Sequence, residues 1–154
     1  MKWLYVILPA LVVVTMVAGS MVTGSNIPGW YNGLKFPSWT PPGAVIGMIW
    51  TVIFSLFIVS AILLVKNVAV GQRFYVVLGL MVLNLVLNYL WSALFFGAHQ
   101  IGWALAELVI LELSVWAIIV ALYPLSTVGA LLFLPYAFWV AFAGVLNFMI
   151  WKLN

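Results

Sequence analysis

The side chains that carry chemistry in this 154-residue chain are aromatic and amide rather than ionic. Nine tryptophans, six tyrosines and ten phenylalanines stand against five cations, two carboxylates and a single histidine, His99. Cysteine is absent, so the chain offers no thiolate nucleophile, thiolate metal site or disulfide. One histidine excludes a bis-histidine haem or a zinc cluster within one chain. No Ser/His/Asp set, phosphate loop or metal cluster is legible, which sets aside hydrolysis and phosphoryl transfer. What remains is recognition by π faces and a few amides. Indole and phenol faces suit a flat, π-rich, mostly apolar ligand held in a largely apolar pocket.

The elements that must position these groups are set by composition. At 68% hydrophobic and 5% charged, the chain carries more apolar surface than a soluble domain of this size can cover, which makes it an integral membrane protein. Lys2, Lys35, Lys66, Arg73, Glu107, Glu112 and Lys152 punctuate the sequence rather than coat a face. A net charge of +3 from so few groups gives no sign of a nucleic-acid partner. The expected fold is an all-α, five-transmembrane-helix bundle, a single membrane domain over 1–154 with a long aromatic, proline-rich first loop. Its helices are expected at about 3–25, 43–65, 74–96, 101–122 and 127–151, with the loop over 26–42.

The apolar run after Lys2 ends near the small residues Ala18-Gly19-Ser20 and so resembles a signal peptide, but it is longer than the usual apolar region of one and reads as a retained first helix. Five helices put the termini on opposite sides. Lys2, Lys66 and Arg73 against Lys35 and Lys152 favour a cytoplasmic amino terminus by one charge.

The loop reads Trp30-Tyr31-Asn32-Gly33-Leu34-Lys35-Phe36-Pro37-Ser38-Trp39-Thr40-Pro41-Pro42. Its prolines hold the preceding residues extended. So long and aromatic a connection fits a lid over a binding site, or equally an interfacial belt of Trp and Tyr at the headgroups. On the second helix Gly43, Gly47, Trp50 and Phe54 share a side that another backbone can approach closely. On the third, Asn84, Asn88, Trp91 and Phe95 recur by four, three and four and form one stripe. Amides at membrane depth need partners, so the stripe faces other helices or a polar cavity. On the fourth helix Trp103, Glu107, Ile110 and Ser114 share a face, with Glu112 nearly opposite. Glu112 reads as an acid bonded to a neighbouring helix, and Glu107 as either that or a functional group. On the fifth, Tyr136, Trp139, Ala143, Leu146 and Asn147 lie along one broad face.

Several motifs in order make the chain resemble the tryptophan-rich sensory protein/translocator protein family, also called the peripheral-type benzodiazepine receptor family. They are Trp30-Tyr31-x-Gly-Leu-x-x-Pro37-Ser-Trp39-x-Pro41-Pro42, Gly47-x-x-Trp50, Leu87-Asn88-x-x-Trp91, Phe95-Phe96-Gly97-Ala98-x-Gln100-x-Gly102-Trp103-Ala104-Leu105 and Pro135-Tyr136-x-x-Trp139-x-x-Phe142-Ala143-x-x-Leu146-Asn147. The short tail suggests a prokaryotic member in a bacterial cell membrane.

The resemblance implies five helices around a pocket beneath the first loop, commonly in a homodimer, with no resident cofactor or metal. It implies porphyrins, notably protoporphyrin IX, and drug-like aromatic molecules as ligands. By resemblance, Tyr31, Trp39, Pro41, Pro42, Trp50, Asn88, Trp91, Trp103, Trp139 and Ala143 would line or close the pocket, and the stripes add Phe95, Leu146 and Asn147. Some bacterial members are associated with oxidative breakdown of porphyrin, for which Trp50 and Trp139 are the implied participants. The animal sterol motif is incomplete: Leu146 and Lys152 are present, but Phe148 stands where tyrosine is expected. Three functions fit: a tetrapyrrole-binding sensor that can also degrade its ligand by light and oxygen, a transporter of porphyrin or lipid, and an assembly factor with an incidental pocket. The transporter reading lacks the internal repeat that such proteins use.

Overall fold

In the computed structural model, which describes residues 2–154, five segments are long and apolar enough to cross a membrane: Leu4–Asn26, Gly43–Asn67, Gln72–Gly97, Ile101–Leu122 and Thr127–Leu153. The protein is a multi-pass integral membrane protein built as a five-span helical bundle. The helices are α1 (Leu4–Asn26), α2 (Gly43–Asn67), α3 (Gln72–Ser92), α4 (Ile101–Leu122), α5 (Thr127–Leu131) and α6 (Leu134–Leu153). α1 lies against α2 and α3, α3 against α4, and α4 against α6, while the short α5 bridges α2 and α4. The first loop, the turn before α4 and the end of α6 meet at one end of the bundle. The amino terminus and the α2–α3 connection lie at the other.

Two spans depart from the expected continuous helices. The fifth is broken between α5 and α6, because Pro135 has no N–H for the Leu131 carbonyl and its ring crowds that turn. The backbone tightens there: the Phe133 N–H donates to the Ala130 carbonyl (3.0 Å), and the buried Ser60 hydroxyl of α2 donates to the Gly129 carbonyl (2.9 Å). The third span ends in a π turn, Ala93–Gly97, closed by Ala98 N–H donating to the Ala93 carbonyl at 2.7 Å. Such widened turns often sit at functional sites. Here it swings Phe95 and Phe96 inward, where both are buried.

The interior has two parts. At the α2–α3 end is a dense apolar core in which Leu64, Phe74, Val115 and Leu122 are fully enclosed. At the loop end is a smaller cluster of Phe95, Phe96, Ala104, Leu146 and Ile150, with Trp30, Tyr31, Phe36 and Trp91 packed on it. Amide pairs join the helices across the middle. Asn84 Nδ2 donates to Ser114 Oγ (2.8 Å) and Asn88 Nδ2 to the Tyr136 hydroxyl (2.8 Å). The Asn84 end of the stripe is therefore interhelical glue, since its partner is a buried serine on α4.

Candidate functional site

The loop is seated on the bundle by aromatic rings. Tyr31, in a single 3-10 turn (Tyr31–Gly33), packs on Phe36 (4.8 Å between ring centroids) and Phe96 (5.4 Å). Burial pushes the Tyr31 phenol above its ordinary range. Trp30 stacks on His99 at 4.3 Å and 11° and meets Phe95 edge-on at 5.5 Å. His99 takes a left-handed backbone (φ 58°), and its Nε2 hydrogen-bonds Asn26 Oδ1 at 3.0 Å. At the other end of the loop, Asn154 Oδ1 accepts from the Lys35 N–H (2.9 Å) while its Nδ2 donates to the Lys35 carbonyl (3.1 Å).

Beneath this loop lies a cavity in two chambers. The outer one, about 630 Å³, is walled by α1 (Thr15 to Gly24), by Gly43, Ile46, Gly47, Trp50, Thr51 and Phe54 of α2, and by Asn88, Trp91 and Ser92 of α3. Its size falls within the range of small-molecule sites. The inner one, about 60 Å³, is walled by Phe95, Trp139, Phe142, Ala143, Leu146, Asn147 and Ile150. Both share Tyr31, Ile46, Trp50, Trp91 and Phe96, which form the neck.

At the neck, the Trp50 and Trp139 rings stand 6.5 Å apart at 88°, and Trp50 also meets Tyr136 edge-on at 5.9 Å. Trp139 stacks on Phe142 at 5.2 Å, and its Nε1 has no hydrogen-bond partner among the described residues. Asn147 fixes the far wall: its Oδ1 accepts from Trp91 Nε1 (3.2 Å) and its Nδ2 donates to the Ile101 carbonyl (2.9 Å). The chemistry on offer is stacking, edge contact and a free indole N–H, with two carboxamides set at defined points.

Of the residues singled out in the sequence, Tyr31, Trp50, Asn88, Trp91, Phe95, Trp139, Ala143, Leu146 and Asn147 line one chamber or both. Four do not. Trp103 is 70% exposed on the outer side of α4, with Ile110 also facing outward, while Glu107 and Ser114 of the same predicted face are buried. Trp39 is 45% exposed and rests edge-on against Phe142 at 5.8 Å, behind the inner chamber. Pro41 and Pro42 lie outside the lining, where Pro42 starts α2 by accepting from the Val45 and Ile46 N–H groups.

Glu107 is 5% exposed, and among the described residues neither carboxyl oxygen has a partner; it lies outside both chambers. Glu112 bonds within its own helix, accepting from Trp116 Nε1 at 2.7 Å, rather than to a neighbouring one. The wall that the sequence reading omitted is α1. The signal for it is Gly19, Ser20, Thr23 and Gly24, small residues recurring at helical spacing.

Five membrane spans enclosing an aromatic cavity beneath the first loop define a small helical membrane protein with an internal cavity. The chain belongs to the TspO/MBR family, whose model matches residues 6–152. It is 39% identical over 126 residues to the translocator protein of Homo sapiens, covering 81% of this chain and 75% of that one. It is 37% identical over 129 residues to protein CrtK of Rhodobacter capsulatus, covering 82% and 80%. To the tryptophan-rich protein TspO of Archaeoglobus fulgidus it is 35% identical over 144 residues, covering 89% and 88%.

Ala143 tests the inner chamber. Ala143→Thr adds two heavy atoms to a space of about 60 Å³. For a protoporphyrin IX or drug-like ligand held in this chamber, the expected result is a loss of ~1–2 kcal/mol in affinity, with the fold retained. Unchanged affinity for both would place ligand outside this chamber.

Proposed function

We propose that this protein binds a flat, largely apolar tetrapyrrole, with protoporphyrin IX as the model ligand, and promotes its light- and oxygen-dependent breakdown. The observation that carries the reading is the neck. Trp50 borders both chambers, with Trp139 6.5 Å away, so a macrocycle entering the neck would lie against two electron-rich indoles. The residues that bind are Tyr31, Trp91, Phe95 and Phe96 by ring contact and Asn88 by its amide. Trp50 or Trp139 gives one electron to the photoexcited ring and is left as an indole radical cation. Dioxygen takes that electron from the ring as superoxide and is the oxidant for the breakdown, and the seated loop limits water. A binder is favoured over a transporter because the cavity ends at the dense core, where Leu64, Phe74 and Leu122 are fully buried.

The test is a dark titration of the purified protein with protoporphyrin IX, followed by illumination in air. Saturable one-to-one binding with a shifted Soret band, then protein-dependent loss of that band, is the expected result. Binding without bleaching would leave a sensor, and no saturable binding would remove the reading.

Ligand should also protect the loop from proteolysis relative to the Lys66–Arg73 connection at the opposite end. The turn over Gly97–Gln100 should gain protection together with the loop, because Trp30 and His99 are stacked. Equal protection at both ends of the bundle would argue against a ligand under the loop.

A further inference from the structure

We infer that ligand enters and leaves this site sideways, from the hydrocarbon of the bilayer through the cleft between α1 and α2, and not from water past the loop. The inference rests on the proposed function and names the ligand class: a molecule already dissolved in the membrane.

The outer chamber reaches the molecular surface along these two helices. Val17, Met21 and Gly24 of α1 and Gly43, Gly47 and Thr51 of α2 belong to its wall and are also exposed. A Cβ placed on Gly24, Gly43 or Gly47 would meet no atom within 4 Å, so nothing stands across the gap at those points. From Thr15 to Gly24 the mouth runs about 14 Å along α1, at 1.5 Å per residue. This length lies inside a transmembrane span, where the surroundings are acyl chains over roughly 30 Å. The rim suits that phase, since the Thr15 and Thr51 hydroxyls return to the Leu11 and Gly47 carbonyls of their own helices (3.0 and 2.9 Å).

The loop end, by contrast, is anchored. Three independent anchors hold the loop: Lys35 to Asn154 on α6, Trp39 to Phe142 on α6, and Trp30 to His99, which in turn bonds Asn26 of α1. Entry past the loop has to break at least one of them. Entry through the cleft breaks none, and the cleft is continuous with the neck through Ile46 and Trp50.

The experiment uses the full chain in lipid nanodiscs preloaded with protoporphyrin IX, in the dark, with association and dissociation followed by tryptophan quenching. Gly47→Leu and, separately, Gly24→Leu narrow the mouth. Lys35→Cys with Asn154→Cys introduces the chain's only thiols, which lock the loop when oxidised and loosen it when reduced.

The expected result is that each rim variant slows association and dissociation together, roughly tenfold, as when binding must await a conformational change. Oxidised and reduced forms of the cysteine pair should show equal rates. Slowing by oxidation, or full-speed exchange in both rim variants, overturns the lateral route while leaving binding itself intact. Absence of saturable quenching in the unmodified protein removes the functional reading and this inference with it.

Discussion

Trp50→Phe and Trp139→Phe should each lose most of the light-dependent bleaching of bound protoporphyrin IX while still binding it in the dark. The expected fall in rate is roughly tenfold or more, about 1.4 kcal/mol or more on the barrier. Phenylalanine keeps a flat apolar face where indole stood, so stacking against Phe54 and Phe142 and the edge contact with Tyr136 survive. It is a far poorer electron donor and has no N–H. Trp139 is the sharper of the two tests, because its Nε1 is buried yet bonded to nothing among the described residues. A buried donor without a partner is unusual, and a ligand acceptor would satisfy it. Glu107→Gln should change the rate little, since the carboxyl lies outside both chambers. The check is the first-order loss of the Soret band at saturating protein under fixed illumination. Wild-type rates in both tryptophan variants would leave the protein a passive binder.

Asn147→Leu should destabilise the fold more than any other single change in the cavity wall. Its carboxamide holds Trp91 Nε1 on one side and the first carbonyl of α4 on the other. Leucine has similar bulk but strands the Trp91 N–H where water is scarce and removes the second bond on the Ile101 carbonyl, which keeps its helical partner. A stranded donor costs about 1–3 kcal/mol, and transmembrane pairs fall towards the lower end, so about 1–2 kcal/mol is expected. Thermal unfolding in detergent, monitored by loss of helical signal, reads this directly. Thr15→Val supplies the comparison, because that hydroxyl bonds only within its own helix. If Asn147→Leu unfolds no earlier than Thr15→Val, the amide does not hold the wall.

The five spans and the α3 stripe were legible in the sequence because both depend on local pattern. Unbroken apolar length sets a span, and a four-three-four spacing puts Asn84, Asn88, Trp91 and Phe95 on the inner side. Trp103 shows where such reasoning fails. Its position on the helical wheel is close to that of Glu107, yet Trp103 is exposed on the outer side of α4 while Ala104 beside it and Glu107 are buried. That boundary depends on how neighbouring helices are placed, which periodicity does not record. The break before α6 was signalled by Pro135 but masked by an apolar run that continues on both sides. α1 was passed over for a related reason. Part of its contribution to the cavity is the bare backbone at Gly19, where a Cβ would meet Ser92 Oγ at 3.3 Å, and at Gly24, where it would meet nothing within 4 Å, and such positions leave little trace in a hydropathy pattern.

All of this turns on where a tetrapyrrole sits. The most direct measurement is a structure of the protein prepared in the dark with protoporphyrin IX bound. The prediction is a macrocycle in the neck, within van der Waals contact of Trp50 and Trp139, roofed by Tyr31 and bordered by Trp91 and Asn88. A macrocycle lying instead on the outer, lipid-facing side of α4 against Trp103, with the neck unchanged, would contradict it.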